Sequence, residues 1–200
     1  MPIEYTLQRM TPADAPTTVA WMTRQYGFEP KEVEEWVKHL HFNWSMSVKA
    51  LDVAGEVIGL LNMSDYRIEE ETEVIRSEQQ ELLERLNGLK YIAVFSFIVD
   101  EKYRGTSLNY DMIMSLWPDL QQYDFVFIPV MHHLKTHSYW KRWGAVEFFR
   151  DGMSVYYMLP LSTKAKREVK IEKHLHLSNI RENTSDPWRL INSSSVEFRK

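Results

Sequence analysis

The pattern of apolar and polar positions predicts strands and helices in mixed order along the first 160 residues. Apolar and polar residues alternate over 3–10, which is typical of a half-buried strand. Two helices follow. Thr11 and Pro12 form a start signal for the first, Gly27 is placed to end it, and Pro30 opens the second. The second helix carries apolar residues at helical spacing, at Val33, Trp36, Val37 and Leu40.

A hairpin and a buried strand are predicted next. Residues 44–53 and 57–63 read as strands on either side of a tight reversal at 54–56. Residues 91–99 are apolar at nearly every position, so we expect a central strand that is buried on both faces. A helix over 108–117 follows, and the next residue, a proline, is expected to end it.

The last third of this region predicts the remaining sheet. Residues 125–131 read as another buried strand, in which Pro129 requires a local break in pairing. A short helix near 138–143 leads to two strands joined at Asp151-Gly152, a typical hairpin turn. The pattern predicts an α/β or α+β fold with a mixed sheet and helices on both faces.

Composition and charge add a domain boundary. The 200 residues are 44% hydrophobic and 13% aromatic, with a net charge of −4, as in an ordinary soluble domain. Residues 162–200 hold nine Lys and Arg against five Asp and Glu, whereas residues 1–161 have a net charge of −8. We therefore expect a core domain over 1–161 and a basic C-terminal extension over 162–200. An acid-rich stretch over about 65–88 has helical spacing and is interpreted as an insertion.

Several classes of function are excluded or disfavoured. The chain has no cysteine, which excludes disulfides, a thiolate nucleophile and cysteine-ligated metal. We expect no metal site, because the His-x-His pairs at 39–41 and 174–176 have no obvious third ligand nearby. No nucleic-acid partner is expected because the net charge is negative, and no membrane partner because no apolar run has membrane-spanning length. The start of the chain has no signal-peptide pattern, so a cytoplasmic protein, monomeric or homodimeric, is the expectation.

Candidate chemistry lies where the strand over 91–99 passes into the helix that begins at Leu108. A helix start presents unpaired backbone N–H groups and the positive end of a dipole, which suit a phosphate. Arg104 adds a positive charge there, and Gly105 lets the backbone approach an anion closely. The sequence predicts an anion or phosphate site in this turn, with a solvated loop as the alternative.

On these residues the chain resembles the GNAT superfamily of N-acetyltransferases over about 3–160. Its strand-end 97–99 and the following turn 104–109 are similar to the family segment that holds the pyrophosphate of acetyl-CoA, with Ser107 and Asn109 where the family usually has glycines. The resemblance implies a mostly antiparallel sheet of six to seven strands with splayed central strands. It also implies acetyl-CoA as co-substrate, bound by Phe97, Ile98, Val99, Arg104, Gly105, Thr106, Ser107, Leu108 and Asn109.

A second segment of the family lies after the next strand. Residues 133–145 agree with the family in a basic residue, a glycine and their spacing. His133 stands at the family's asparagine, and Trp140 at its frequent tyrosine, the acid that protonates the CoA thiolate; both are expected to contact CoA. Trp140 has no acidic proton to give. Tyr139 is the substitute, although on a helix it would point elsewhere than Trp140.

The resemblance implies acetyl transfer to a small-molecule or peptide primary amine by direct attack. Such a reaction needs a base for the amine proton. The strand over 91–99 contains no Glu, so His132, just beyond the strand over 125–131, is the candidate base and Tyr139 the candidate acid. Two alternatives stay open: a catalytically weak or silent acyl-CoA-binding or regulatory module, and an interaction protein with a closed cleft.

Overall fold

The computed structural model describes residues 4–39, 42–65, 88–150 and 154–167. Over these ranges the chain forms one seven-stranded sheet in the order β1-β2-β3-β4-β5-β7-β6. The strands are β1 Tyr5–Arg9, β2 Phe42–Asp52, β3 Val57–Ser64, β4 Tyr91–Val99, β5 Phe125–Met131, β6 Val146–Arg150 and β7 Ser154–Pro160. The helices between them are α1 Ala15–Tyr26, α2 Pro30–His39, α3 Leu108–Leu120 and α4 His137–Arg142.

Every neighbouring pair of strands is antiparallel except β4 and β5, which are parallel. Apolar side chains cover both faces. One cluster, which includes Leu61 and Val126, packs against α3 through Met112 and Leu116. Another packs the opposite face against α1 and α2, with Trp21 among its members. The predicted mixed sheet of six to seven strands with helices on both faces is confirmed.

The helix boundaries follow from local sequence signals. Before α1, the Thr11 backbone N–H donates to the Asp14 carboxylate, and Pro12 begins a single 3₁₀ turn. α1 ends at Gly27, whose φ of 71° lies in the left-handed region that glycine adopts without steric cost. These signals place α1 and α2 where the sequence predicted them.

One predicted boundary is wrong: α3 does not end before Pro118 but continues to Leu120. A proline removes one backbone hydrogen bond and crowds the carbonyl four residues earlier. Here that earlier residue is Met114, which is exposed, and the helix ends two residues later, so the loss falls on the last turn.

The described start of the basic extension packs on the domain. The backbone N–H groups of Leu161 and Ser162 both donate to the Asp124 carbonyl oxygen, at 2.8 and 3.0 Å. Residues 163–167 are helical, and Ala165 is fully buried beside Phe125. These first residues of the predicted extension therefore contact the core domain at Asp124 and Phe125. The rest of the predicted extension, the acidic insertion between Asp65 and Gly88, and the turn at 151–153 lie outside the described residues.

Candidate active site

The parallel strands β4 and β5 part from each other halfway along their length. Their pairing runs only from Tyr91 opposite Phe125 to Ala93 opposite Phe127, although β4 continues to Val99 and β5 to Met131. The gap opens into a cavity of about 590 Å³. β5 stays paired with β7 through Pro129, so the break predicted at this proline lies on the β4 side. The splayed central strands that we predicted are thus present.

The alternation of backbone groups along β4 decides which amides face this wedge. The Asp100 N–H donates to the Ile58 carbonyl of β3, and in an antiparallel pair alternate residues form these bonds. The Ile98 backbone therefore also faces β3. The N–H and carbonyl groups of Phe97 and the N–H of Val99 face the wedge, where β5 has moved away, and an extended ligand could pair with them; the Val99 carbonyl accepts from the Arg104 side chain.

The turn between β4 and α3 lies at one end of the wedge, its mouth: Arg104 and Asn109 line the cavity, whereas Gly105, Thr106, Ser107 and the fully buried Leu108 do not. The Asp100 carboxylate accepts from the Lys102 N–H and caps a 3₁₀ turn, and Gly105 has a φ of 80°. In the part of the chain that the structure describes, no group accepts a hydrogen bond from the N–H of Gly105, Thr106 or Ser107. These three amides lie directly before the 13-residue helix α3, whose positive dipole end adds to them. The turn can bind an anion.

Arg104 places a positive charge at this mouth. Its Nε donates to the Val99 carbonyl oxygen at 3.1 Å, which fixes the guanidinium beside the wedge. Arg104 lines the cavity, and its side chain is exposed. The Nη groups remain available to a bound diphosphate, because no described carboxylate forms an ion pair with them.

The two residues that stand at family glycines have different surroundings. Asn109 lines the cavity, and its Oδ1 is buried without a hydrogen-bond partner among the described residues. A buried polar atom without a partner costs about 1–3 kcal/mol, so a ligand group that donates there is favoured. Ser107 Oγ instead lies 3.2 Å from the Tyr5 hydroxyl of β1. Both side chains fit in the turn.

The segment after β5 supplies the other wall. His133, Tyr139 and Trp140 line the cavity, as do Leu134 and Thr136. Tyr139 and Trp140 are neighbours on α4, yet both line the cavity, as does Thr136 directly before this short helix. His132 is exposed and is not among the lining residues; its backbone carbonyl lies 3.3 Å from a ring nitrogen of His137.

Tyr139 is the candidate acid, and its phenol is buried in the wall of the cavity. Its hydroxyl oxygen is buried, and Trp143, whose ring contacts that of Tyr139, is the side chain within reach of it. Burial raises the pKa of Tyr139 above its usual value of 10.0, so the phenol stays protonated at neutral pH. The ring centroid of Phe97, on β4, lies 6.2 Å from that of Tyr139 and 5.8 Å from that of Trp140, which joins the two walls of the wedge.

Sequence reasoning missed the end of the cavity away from the turn. Gln25 and Tyr26, at the end of α1, line it together with Phe95 of β4. Burial alone raises the pKa of Tyr26 to about 12. Phe95 has no partner on β3, because the register shifts between Asn62 and Met63, and this bulge turns the strand at the cavity. An irregular pairing of this kind leaves no pattern in the sequence of one strand.

The chemical groups around the cavity limit what it can do. Among the described lining residues there is no Asp or Glu, and the ionisable groups are Tyr26, Arg104, His133, Lys135 and Tyr139. No group of three or more metal-ligating side chains occurs among the residues that the structure describes. The arrangement suits an anionic ligand at the mouth and an extended, amide-bearing segment along β4.

Comparisons with known proteins agree with this geometry at the level of the fold. No protein-family model and no curated protein matches the chain. Among solved structures, a GNAT family N-acetyltransferase from Escherichia coli in complex with CoA matches with a TM-score of 0.58 and 20% identity, over 82% of this chain and 86% of that one. The ribosomal-protein-S18-alanine N-acetyltransferase from Escherichia coli matches with a TM-score of 0.54 and 11% identity, over 80% and 96%.

A plant structure matches in the same way. Arabidopsis thaliana NAA60 in complex with a bisubstrate analogue has a TM-score of 0.52 and 14% identity, over 78% of this chain and 97% of that one. The resemblance to the GNAT superfamily is confirmed for the fold. In the described ranges, no helix has the length and apolar character needed to cross a membrane.

Proposed function

We propose that this chain, which has the GNAT fold, is an acetyl-CoA-dependent N-acetyltransferase that acts on a primary amine. The observation that carries the proposal is the wedge between β4 and β5, with an anion-binding turn at its mouth. The bound acetyl-CoA would supply an activated thioester carbonyl. Everything else in the reaction falls to the residues of the chain.

Binding falls to the turn and to β4. The amides of Gly105, Thr106 and Ser107 and the Arg104 guanidinium would hold the diphosphate, with Leu108 opening α3 behind them. The wedge-facing backbone groups of Phe97 and Val99 would pair with the pantetheine amides. Ile98 would contribute only its side chain, because its backbone pairs with β3. His133, Asn109 and Trp140 would complete the walls.

Catalysis needs an oxyanion donor, a base and an acid. A backbone N–H that points into the wedge from β4 would stabilise the developing oxyanion. The amine must attack as the free base, and we assign His132 as the group that takes its proton, through water since His132 lies off the cavity lining. Tyr139 would protonate the departing thiolate, for which its buried, protonated phenol is suited.

One observation favours a second candidate, a catalytically silent acyl-CoA-binding module. The described lining contains no carboxylate, and the candidate base lies outside it, so binding is better provided for than proton transfer. Release of free CoA thiol in a panel of primary amines separates the two functions. Amine-dependent release supports the enzyme, and tight acetyl-CoA binding without release for any amine supports the module.

The binding step is tested by calorimetric titration with CoA. Arg104→Ala should weaken binding at least tenfold, because a charge-assisted contact to phosphate is worth about 1.5–3 kcal/mol, and should leave the Tm nearly unchanged. Lys102→Ala is the matched control, since it removes a nearby exposed positive charge that does not line the cavity. Equal effects of the two variants on binding, or a loss of Tm that matches the loss of affinity, would contradict the proposal.

A further inference from the structure

Strand β1 contacts helix α3 along the length of the helix. Alternate residues of a strand share a face, and Tyr5 and Arg9 both face α3. Near the end of the helix, the Arg9 guanidinium donates to the Ser115 carbonyl oxygen at 2.8 Å and pairs with the Asp119 carboxylate at 2.5 Å. Both members of this ion pair are substantially exposed, so it fixes the helix without adding much stability.

At the other end, β1 reaches the diphosphate turn. The Tyr5 hydroxyl donates to the Asp111 carboxylate in the first turn of α3, and Ser107 Oγ lies 3.2 Å from the same phenol oxygen. A phenol has one hydrogen, which goes to Asp111. The Ser107 hydroxyl therefore donates to Tyr5. Ser107, Tyr5 and Asp111 thus form a hydrogen-bonded chain that links the turn and α3 to β1.

We infer that Tyr5 is a positioning residue for the diphosphate turn, an inference that rests on the proposed function. By accepting from the Ser107 hydroxyl, Tyr5 engages that side chain with β1. Ser107 then presents only its backbone N–H to a phosphate, as a glycine would. The serine is tolerated in the turn because a second residue, distant in sequence, holds its side chain.

The hydrogen bond from Tyr5 to Asp111 also favours phosphate binding at the turn. A carboxylate in the first turn of a helix interacts favourably with the dipole, but it also competes with any anion bound there. The hydrogen bond from Tyr5 holds this carboxylate at β1. Burial, followed by the hydrogen bond to Asp111, raises the pKa of Tyr5 above its usual value of 10.0, so the phenol keeps its proton under ordinary conditions.

A double-mutant cycle on CoA binding tests this role. Tyr5→Phe keeps the ring and removes the hydroxyl, and we expect it to weaken CoA binding about tenfold. Ser107→Gly removes the side chain that Tyr5 holds and provides the second background of the cycle. In the Ser107→Gly background, Tyr5→Phe should weaken binding less than about threefold, because only the contact with Asp111 then remains to be lost. Tyr110→Phe is the matched control, since it removes an exposed hydroxyl from the first turn of α3, next to Asp111.

A comparison of CoA with pantetheine, which lacks the diphosphate, distinguishes a positioning role of Tyr5 from a general loss of folded structure. Tyr5→Phe should leave pantetheine binding unchanged, whereas a misfolded sheet would lose CoA and pantetheine together. Equal losses of CoA affinity in the two Ser107 backgrounds, or equal losses for CoA and pantetheine, would overturn the inference alone. Absence of CoA binding by the wild type would overturn the proposed function, and this inference with it.

Discussion

Tyr139 is the residue that we propose protonates the departing thiolate, and its surroundings fit this role. Its hydroxyl oxygen is buried, and its ring lies against Phe97 on the opposite wall of the wedge. Burial also keeps the phenol protonated, as an acid must be before it donates its proton. The same residue type at an exposed position, such as Tyr110, carries no such implication.

Tyr139→Phe tests this role directly. If the phenol protonates the thiolate, turnover should fall about 10²-fold or more while the Kd for CoA stays within about twofold. Burial raises the pKa of Tyr139, so the phenol is protonated at all pH values below 10.0, and this group sets no alkaline limb of the wild-type pH profile below that value. Steady-state kinetics and calorimetry, with Tyr110→Phe as control, provide both readings. An unchanged kcat would remove Tyr139 as the acid.

Some residues of the site could be predicted from the sequence, and others could not. Arg104 and Gly105 could be singled out because they lie in a strand–turn–helix segment whose chemistry is local. Tyr5 and Tyr26 could not, since they reach the site only through the tertiary packing of β1 and α1. No spacing within one element reveals such a contact.

At the scale of elements, one partly buried ion pair links the start of α1 to the sheet, in addition to the apolar packing of Trp21. Lys49 of β2 lies 2.6 Å from the Asp14 carboxylate, just before α1. Burial alone would raise the pKa of Asp14, but hydrogen bonds from Lys49 and from the Thr11 N–H outweigh burial and lower the pKa below 3.8. The carboxylate is thus stabilised in its charged form in the folded state.

This lowered pKa predicts a specific pH dependence of stability. Its contribution is fully present above pH 3.8 and is lost as the pH falls through the lower value of the folded state. Asp14→Asn should cost about 1 kcal/mol near neutral pH, and its difference from the wild type should shrink below pH 3.8. Urea unfolding at a series of pH values measures both effects. A difference that stays constant down to pH 2 would contradict the assignment.

Elements themselves were largely predictable, since strands and helices follow local periodicity. The exceptions have physical reasons. α3 passes through Pro118 because the lost hydrogen bond falls in its exposed last turn. Pairing at Pro129 breaks on one side only, because β7 stays in register while β4 has already separated. The sequence shows that a proline lacks a backbone hydrogen bond, but only tertiary packing determines which end of a helix or which side of a strand loses it.

For the whole molecule, the wedge follows from the topology of the sheet. One parallel pair lies in an otherwise antiparallel sheet, and it is this pair that parts after Ala93 and Phe127. The turn after β4 and the helix α4 after β5 then meet at the opening. The fold and the mouth of the site were predictable from motifs in two segments, whereas the far end, built from α1 and the β4 bulge, depended on the three-dimensional packing.

The most direct test of the account is amide hydrogen exchange along β4, measured by NMR with and without CoA. The N–H groups of Phe97 and Val99 face the wedge, and that of Ile98 is already bonded to β3. The account predicts that CoA slows exchange at Phe97 and Val99 at least tenfold and changes exchange at Ile98 little. CoA binding with no protection at Phe97 and Val99 would contradict it.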